Sequence, residues 1–534
     1  MKSSSRISLL ALIVIVLGGC LPQTPPAATV TPAEVPALTA QADVTVVPMP
    51  DRPNFLFILV DDLDEKLDVL DYMPHLQELL TAQGLTILDF LINTPLCCPS
   101  RACILRGQYT HNHQIYSNGA PTGGFEKFHA LQSETSTLAT WLQQAGYRTA
   151  LFGKYLNGYP FPSERDYIPP GWTDWHSPVK GTPYKEFNFT LNQNGQQVDY
   201  RSQEDYLTDV LARKADDYLR GSASNSDPFF VYLAPYAPHG PAVPAPRHAQ
   251  AFPGLLAPRT PAFDEADVSD KPYAIASNPH LTQEQLDRID ELYRLRVQSM
   301  QAVDEMIARL VATLQETGQL ENTYIIFTSD NGYHLGQHRL PAGKGTPYEE
   351  DIAVPFIVRG PGIPAGRSLD GYLAGNVDIA PTIAELAGVI PPAYVDGRSL
   401  APLLGGDPVA AADWRQAYLI EYYGSDPDAE SFLASDLPIG LGIPDQLLEP
   451  PDLDQTVQIT PAPKFLALRT SRYVYVEYAG GFRELYDLIE DPYELANLAA
   501  DADPALLEKL SGWLKDLASC SGTGCRAVED RGLH

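Results

Sequence analysis

The chain has 534 residues, with 67 Asp and Glu against 37 Lys and Arg, and a formal net charge of −30 at pH 7. Such acidity argues against nonspecific binding to nucleic acid or to an anionic membrane surface. A chain of this length exceeds what one hydrophobic core usually supports, so we expect a large domain with a smaller appendage.

The first twenty residues have the layout of an export signal. Lys2 and Arg6 precede an apolar run over residues 7–17, which is too short for a comfortable membrane span. The run ends at Cys20 in a pattern that resembles a bacterial lipobox, where cleavage before the cysteine leaves it to carry lipid. An ordinary signal peptide with a chance cysteine, or a retained anchor, fits the same residues. We predict export, as a bacterial cell-surface or periplasmic lipoprotein that contacts the membrane only through the lipid on Cys20.

Residues 21–50 are rich in Pro, Ala, Thr and Val and show no helical or strand periodicity. Such a segment buries too little apolar surface to fold alone, so we predict a semi-extended tether after the signal peptide of residues 1–20. The large domain then covers residues 51–404, and a smaller subdomain covers residues 405–534.

A continuous apolar run at residues 54–60 is typical of a strand that is buried on both faces of a parallel sheet. Helical periodicity fills residues 282–317. Further apolar runs lie at residues 149–153, 229–234, 324–328 and 354–358. This alternation predicts an α/β domain with a mostly parallel or mixed central sheet and helices on both faces.

Polar side chains follow two of the predicted strands directly. Asp61 and Asp62 come after the first strand, and Asp330 and Asn331 come after the strand at residues 324–328. Ligands of open parallel sheets lie at the carboxyl ends of strands, and these oxygen donors suit a hard cation. If they bind a cation, Ca²⁺ accepts such ligands and Mg²⁺ is the less favoured ion. Either pair alone would more often cap a helix or form a turn.

The segment around Cys97 has a spacing that a modifying enzyme can read. Pro99 follows at two positions and Arg101 at four, and neither Cys98 nor Cys103 has that pattern. The proline and the helix-forming run after it predict that Cys97 lies just before a helix, whose N-terminus favours an anion. Small buried cysteines, or a partial metal or disulfide site, are the alternatives.

The tail changes to strand patterns. Two apolar runs at residues 465–468 and 473–478 predict a hairpin, and a helix is expected at about residues 503–518. We therefore expect a small antiparallel-sheet subdomain with a helix. Cys520 and Cys525 are candidates for a disulfide in an exported protein, and two free thiols are the alternative.

The run over residues 97–107 closely resembles the signature of the type I sulfatases of the alkaline phosphatase superfamily. Residues 110–113, 153–157 and 329–337 are most similar to the branch that includes N-acetylglucosamine-6-sulfatases. In this family the cysteine is oxidised to Cα-formylglycine, an aldehyde, by a formylglycine-generating enzyme. The resemblance implies an alkaline-phosphatase-like catalytic domain that hydrolyses sulfate esters. It implies a sulfated small molecule or glycan as substrate. We prefer N-acetylglucosamine 6-sulfate units, and aryl sulfates or other glycan sulfates are the alternatives.

The resemblance also implies the residues that hold the cation. They are Asp61, Asp62, Cys97 in its modified form, Asp330 and Asn331. The metal would lower the pKa of a bound hydroxyl and draw off developing charge.

Cationic side chains complete the implied site. Arg101, Lys154 and Lys344 would neutralise the sulfate oxygens and hold the formylglycine, and His239 would protonate the leaving alcohol. From the residues alone, a loop lysine is usually solvated and a loop histidine is unremarkable.

Substrate contacts are less defined by the sequence. Many relatives carry a histidine where this chain has Leu156, and Asn157 is the candidate replacement. Four histidines are candidates to line the substrate entrance or to be structural: His111, His113, His334 and His338.

Two other functions fit the same residues. One is a formylglycine-dependent phosphonate monoester or phosphodiester hydrolase, and the other is a non-catalytic lipoprotein that binds sulfated glycans. The complete set of metal and sulfate residues argues against the second.

Overall fold

The computed structural model describes residues 45–46, 52–424 and 463–533. The predicted signal peptide, Cys20 and most of the predicted tether lie outside the described residues. Thr45–Val46 pairs with Val389–Ile390, so the end of the segment that we assigned to the tether lies on the large domain. Within the described residues, no helix is long and apolar enough to cross a membrane.

A ten-stranded mixed sheet forms the centre of the large domain. Five neighbouring strands run parallel, in the spatial order Thr323–Ser329, Asn54–Val60, Phe229–Ala234, Arg148–Gly153 and Asp174–Thr182. The outer strands are Phe356–Arg359, Leu85–Ile87 and Arg367–Leu369 on one side, and Phe187–Gln193 and Gln196–Tyr200 on the other. The carboxyl ends of the parallel strands therefore meet along one edge.

Successive residues of the first strand face two different hydrophobic cores. Phe55 and Phe57 pack on one side, and Leu56 and Ile58 pack on the other. Helices Cys97–Arg106, Leu138–Gln144 and Ile379–Leu386 cover the first side, and Leu207–Ser222 and Gln283–Glu316 cover the second. The predicted α/β fold, with helices on both faces, is confirmed.

Shorter elements fill the connections. Phe90–Leu91 pairs in parallel with Ala374–Gly375. Further short α-helices are Pro74–Leu76, Thr110–His113, Gly124–Ala130, Tyr273–Ala276, Glu349–Ile352 and Ala401–Leu404.

A separate four-stranded antiparallel sheet forms the C-terminal part. Its strands are Ala417–Tyr422, Phe465–Thr470, Tyr473–Tyr478 and Arg483–Asp487. Helix Pro504–Leu517 packs on this sheet through residues that include Leu510 and Leu514. The predicted small sheet with a helix is confirmed. The two inner strands are the predicted hairpin, and the two outer strands were not predicted. Cys520 and Cys525 form a disulfide, and Cys525 lies in the final helix of the described residues, Thr523–Glu529.

A buried ion pair joins this small sheet to the large domain. Arg469 Nε donates to Glu349 Oε1 at 2.9 Å, and Lys66 Nζ lies 3.2 Å from Glu349 Oε2. Burial by itself raises the pKa of Glu349, but Arg469 and Lys66 outweigh burial and lower that pKa to about 2. A depressed carboxyl pKa means that the stabilisation is complete above about pH 4.5 and is lost as the pH falls toward 2.

We expect Glu349→Gln to lower the free energy of unfolding at neutral pH by roughly 3 kcal/mol, since buried Arg469 loses the closer of its two charge partners and keeps only Asp89. Arg472→Gln is the control, because it removes a pair between half-exposed Arg472 and Asp487 on the same sheet and should have a much smaller effect. Urea unfolding at neutral pH and well below pH 4.5 measures both. Equal losses in the two variants, or a Glu349→Gln loss that does not shrink at low pH, would contradict the assignment.

Candidate active site

The two predicted metal-ligand pairs lie side by side. Val60 and Ser329 are the last partners of two adjacent parallel strands, and Asp61 and Asp330 follow them. Asp62 N donates to Asp330 Oδ1 at 3.2 Å. The four side chains of residues 61, 62, 330 and 331 have no exposed surface. The sheet therefore brings together carboxylates that are about 270 residues apart in sequence.

The turn after the first strand holds Asp62 in an uncommon conformation. Its φ of 66° lies in the left-handed region, which non-glycine residues adopt only when their surroundings enforce it. Leu63 N donates to Ser329 Oγ at 2.8 Å, and Arg296 Nη2 donates to the Asp62 carbonyl at 2.5 Å. A residue of the long helix thus fixes the direction of a predicted metal ligand.

Cys97 is the first residue of helix Cys97–Arg106, one position inside the start that we predicted. Its Sγ lies 3.6 Å from Asp61 Oδ1 and 3.9 Å from Asp62 Oδ1. Arg101 lies one turn further along the same helix. Its Nε donates to Asp330 Oδ2 at 2.7 Å, so the helix is anchored to the second strand end as well.

Two lysines and a histidine close the cluster from other segments. Lys154, which follows strand Arg148–Gly153, donates from Nζ to Asp61 Oδ2 at 2.7 Å. His239 Nε2 lies 3.5 Å from Asp62 Oδ2. All three side chains of Lys154, His239 and Asp62 are buried.

Lys344 reaches the cluster from a glycine-rich loop. Its Nζ donates to Asp62 Oδ1 at 2.6 Å and lies 2.9 Å from Cys97 Sγ. Gly345 has a φ of 93°, and a Cβ there would come within 3.0 Å of the Tyr422 ring. The C-terminal sheet therefore positions the loop that carries Lys344.

The charges of the cluster set the protonation of its acids. Burial by itself raises the pKa of Asp61, but Lys154, His239 and Arg101 outweigh burial, so the pKa lies below its ordinary value. The pKa of Asp62 is also lowered, because Lys344 and His239 outweigh burial.

The same burial acts differently on the other acids. It raises the pKa of the Cys97 thiol well above its ordinary value, despite Lys154 and Lys344. Burial and the Asp61 charge raise the pKa of Asp330. An unmodified Cys97 is therefore a protonated thiol here.

The donor atoms fit a hard divalent cation. Ligand atoms of Asp61, Asp62, Cys97 and His239 all lie within 4.8 Å of one another. Asp62 Oδ2 and Asn331 Oδ1 are buried, and among the described residues neither has a hydrogen-bond partner. Buried oxygens without donors are costly unless a cation satisfies them. Carboxylate and amide oxygens are the ligands that Ca²⁺ accepts.

Two predicted entrance histidines are structural instead. His113 is buried, with Nε2 3.2 Å from Cys103 Sγ and Nδ1 accepting from Ile115 N at 3.0 Å. His338 is 1% exposed and its Nδ1 lies 2.7 Å from Glu265 Oε2. Neither can line an entrance, because both rings are enclosed by the protein.

The other predicted substrate residues have defined neighbours too. His111 uses both ring nitrogens, toward Glu421 Oε1 and the Cys520 carbonyl. His334 Nδ1 lies 2.9 Å from Asp351 Oδ1, and the residue is 6% exposed. Asn157 is 9% exposed and its backbone lies against the Cys98 thiol. Asn157 is therefore the one of these three residues whose backbone contacts the cysteine segment.

Sequence reasoning missed Arg296, which is fully buried. A signal was present. Arg296 falls three residues after Tyr293 and four before Met300, on the helix face that is otherwise apolar. A lone arginine on such a face needs a buried acceptor, and the Asp62 carbonyl is that acceptor.

Comparison with known proteins assigns the family. The profile of the family described as Sulfatase matches residues 53–389. The chain belongs to the sulfatase family. This sulfatase is 34% identical to human N-acetylglucosamine-6-sulfatase over 522 residues, which cover 97% of this chain and 90% of that protein. The predicted family and its enzyme class, the sulfuric ester hydrolases, are thereby confirmed.

A second relative is a longer protein. The putative extracellular sulfatase Sulf-1 homolog of Caenorhabditis elegans is 40% identical over 382 residues, which cover 69% of this sulfatase. The chain spans about half of that relative's length, 52%.

Solved structures share the fold. One is that of BT4656 in complex with its substrate D-glucosamine-2-N,6-O-disulfate, with a TM-score of 0.66 at 23% identity over 87% of this sulfatase and 97% of that chain. Another is the phosphonate monoester hydrolase of Agrobacterium radiobacter, with a TM-score of 0.64 at 23% identity over 88% and 95%. At such identities the likeness shows the fold alone.

Proposed function

We propose that this sulfatase cleaves the S–O bond of sulfate esters on sulfated sugars such as N-acetylglucosamine 6-sulfate. It would use a formylglycine derived from Cys97 and a bound Ca²⁺. The observation that carries the proposal is the position of Cys97 Sγ, which lies against Asp61, Asp62 and Lys344 at a helix N-terminus. The glucosamine preference is supported by the name of the human relative and by the disulfated glucosamine bound to BT4656 as its substrate.

The protonated state of Cys97 supports its modification. A buried thiol whose pKa is raised is a poor nucleophile, because the thiolate is the reactive form. The hydrated aldehyde would supply one hydroxyl to attack sulfur and a second whose deprotonation expels sulfate. A formylglycine-generating enzyme is then required as a maturation partner.

The acids and the amide would hold the cation. The ligands would be Asp61, Asp62, Asp330 and Asn331, with the modified residue 97. The metal would supply Lewis acidity toward the attacking hydroxyl and the sulfate oxygens. Its negative ligands are already balanced in part by Lys154 and Lys344, so the pocket can accept an anionic substrate within an acidic protein.

The positively charged side chains have two roles. Lys154 and Lys344 carry ammonium groups on Asp61 and Asp62, within reach of a sulfate at residue 97. Arg101 acts mainly as a positioning residue, because Nε holds Asp330 and Nη1 holds the Lys154 carbonyl at 3.0 Å. Its Nη2, 3.8 Å from Asp61 Oδ1, remains to hold the modified residue 97.

His239 would protonate the leaving alcohol. Its Nε2 lies 3.5 Å from Asp62 Oδ2, and its Nδ1 lies 2.8 Å from the Gly240 carbonyl, which orients the ring. We expect His239→Gln to lower kcat by about 10²-fold on a sugar 6-sulfate. The loss should be much smaller on nitrophenyl sulfate, whose leaving group needs no proton. Equal losses on both substrates would assign His239 to binding or positioning.

Export of the chain is also a proposal. The named extracellular relative supports secretion, and lipidation of Cys20 stays a prediction, since that residue lies outside the described part of the chain. Mass analysis of the mature N-terminus from the native host would show whether Cys20 is the first residue and carries lipid.

The test of the function is a substrate panel on purified protein. It compares kcat/KM for glucosamine 6-sulfates, other sugar sulfates, aryl sulfates, phosphonate monoesters and phosphodiesters. We expect sulfate monoesters to dominate, with sugar 6-sulfates preferred among them. The phosphonate monoester hydrolase fold makes phosphonate cleavage the second candidate, and dominant activity on phosphonates or phosphodiesters would establish it instead.

A further inference from the structure

A second group of metal-binding side chains lies outside the catalytic cluster. Ligand atoms of His338, Glu350 and Glu494 all lie within 4.8 Å of one another. The three residues are 1%, 5% and 1% exposed, respectively. They come from the loop after Asn331, from helix Glu349–Ile352 and from the segment after strand Arg483–Asp487. None of them belongs to the catalytic cluster.

The histidine presents one ring nitrogen to this group. His338 Nδ1 lies 2.7 Å from Glu265 Oε2, and Lys271 Nζ lies 3.6 Å from the same oxygen. With Glu265 ionised, the form that Lys271 favours, Nδ1 carries the proton and donates to Glu265, which leaves the Nε2 lone pair available. The ring also packs on Tyr348, with centroids 4.0 Å apart. A carboxylate that orients a histidine in this way is the usual outer partner of a metal-bound imidazole.

Two buried atoms of the group lack the partner that burial demands. Among the described residues, neither His338 Nε2 nor Glu494 Oε1 has a hydrogen-bond partner. The other oxygen of Glu494, Oε2, accepts from Glu349 N at 2.9 Å. Atoms that each lie about 2.0–2.2 Å from one Zn²⁺ are roughly 3.5 Å from one another. The ligand atoms of this group all lie within 4.8 Å of one another, a range that includes that spacing.

The charge balance also favours a cation. Glu265 and Glu494 share the Lys271 ammonium, which is already bonded to the Glu494 carbonyl and to Tyr486. Arg469, which also acts on Glu494, is already paired with Glu349 and Asp89. Glu350 and Glu494 are 5% and 1% exposed, so water screens their charges poorly.

We propose that His338, Glu350 and Glu494 bind a second, structural divalent ion. One imidazole and two carboxylates suit Zn²⁺, and the two negative charges neutralise it. The ion would lie beneath the catalytic strand end, because the Glu350 carbonyl accepts from Tyr333 N at 2.8 Å and the Asp351 carbonyl accepts from Gly332 N at 3.0 Å. It would clamp the C-terminal segment to the loop that follows Asn331.

Metal analysis of the full-length protein tests this site. The protein is supplied with Ca²⁺ and Zn²⁺, freed of loosely held metal by gel filtration, and measured by mass spectrometry of the elements. We expect about one Zn²⁺ per chain, and a loss of at least about 100-fold in Zn²⁺ affinity in Glu494→Gln with Ca²⁺ retained. The control Glu490→Gln, at an exposed position four residues earlier, should keep its Zn²⁺.

A measurement on the unaltered chain decides the matter if Glu494→Gln does not fold. Zn²⁺ is titrated into chelator-treated protein at saturating Ca²⁺ while the melting temperature is followed. We expect a rise that saturates at one equivalent, since an ion that binds only the folded state stabilises it. No retained Zn²⁺ and no rise in melting temperature would overturn the proposal. The acids of this group would then be stabilised by shared protons instead of a metal ion. The proposal would also be overturned if Glu494→Gln bound Zn²⁺ as tightly as the unaltered chain does, because the ion would then be bound at the surface.

Discussion

Cys97→Ala should abolish sulfatase activity, with a loss in kcat/KM of at least about 10⁴-fold, because alanine cannot be oxidised to the aldehyde and offers no nucleophile. Neither of the other two free cysteines in the described part of the chain can replace it. Cys103 Sγ lies 3.2 Å from His113 Nε2, away from the carboxylates, and Cys98 contacts the backbone around Asn157. The variant should fold, since Lys344 keeps its bond to Asp62 and Lys154 keeps its bond to Asp61 without the sulfur.

The matched control is Cys98→Ala. It alters the neighbouring cysteine but keeps Pro99 and Arg101 at the offsets that mark Cys97 for modification. Most of the activity should remain. Mass spectrometry of the peptide that contains residue 97 should find the aldehyde in the unaltered protein and in Cys98→Ala. A fully active preparation whose peptide carries only the thiol would sink the formylglycine mechanism.

The fold was predictable where the sequence is locally unambiguous. The run at residues 54–60 is apolar throughout, and the structure makes it the strand Asn54–Val60, buried on both faces. The long helix begins where Thr282 caps it, as its side chain accepts from Gln285 N. Because parallel strands end at one edge of a sheet, those strands predicted that Asp61 and Asp330 lie near each other. The family resemblance was needed to predict that they bind a cation, since such pairs more often cap helices or form turns.

Contacts between distant segments were beyond reach of such reasoning. Arg296 holds Asp62 across 234 residues, and Gly345 approaches Tyr422 from another region of the chain. The neighbours of the four candidate histidines were hidden for the same reason. The ring of His111 contacts Glu421 and the ring of His334 contacts Asp351. Only the folded chain brings these partners together.

Asp62→Asn should lower kcat/KM by at least about 10³-fold and remove the retained Ca²⁺, because a metal ion contributes several kcal/mol of transition-state stabilisation. The geometry makes this isosteric change severe. Oδ1 accepts from Lys344 Nζ and from Asn331 Nδ2, at 2.6 and 2.7 Å, so an amide must point its NH₂ either at those donors or at the ion. Either orientation is unfavourable, because the NH₂ group would face another donor or the cation.

Asp64→Asn is the matched control, two residues along the same turn. Asp64 is also buried, but its Oδ1 accepts from Leu67 N and Lys66 N, and burial raises its pKa to about 6. Its other oxygen, Oδ2, lies 3.6 Å from Arg296 Nη2. This variant should keep both Ca²⁺ and most activity. If Asp62→Asn lost activity but kept a full equivalent of Ca²⁺, Asp62 would be the partner that holds Lys344 in place. The cation would then depend on Asp61, Asp330 and Asn331.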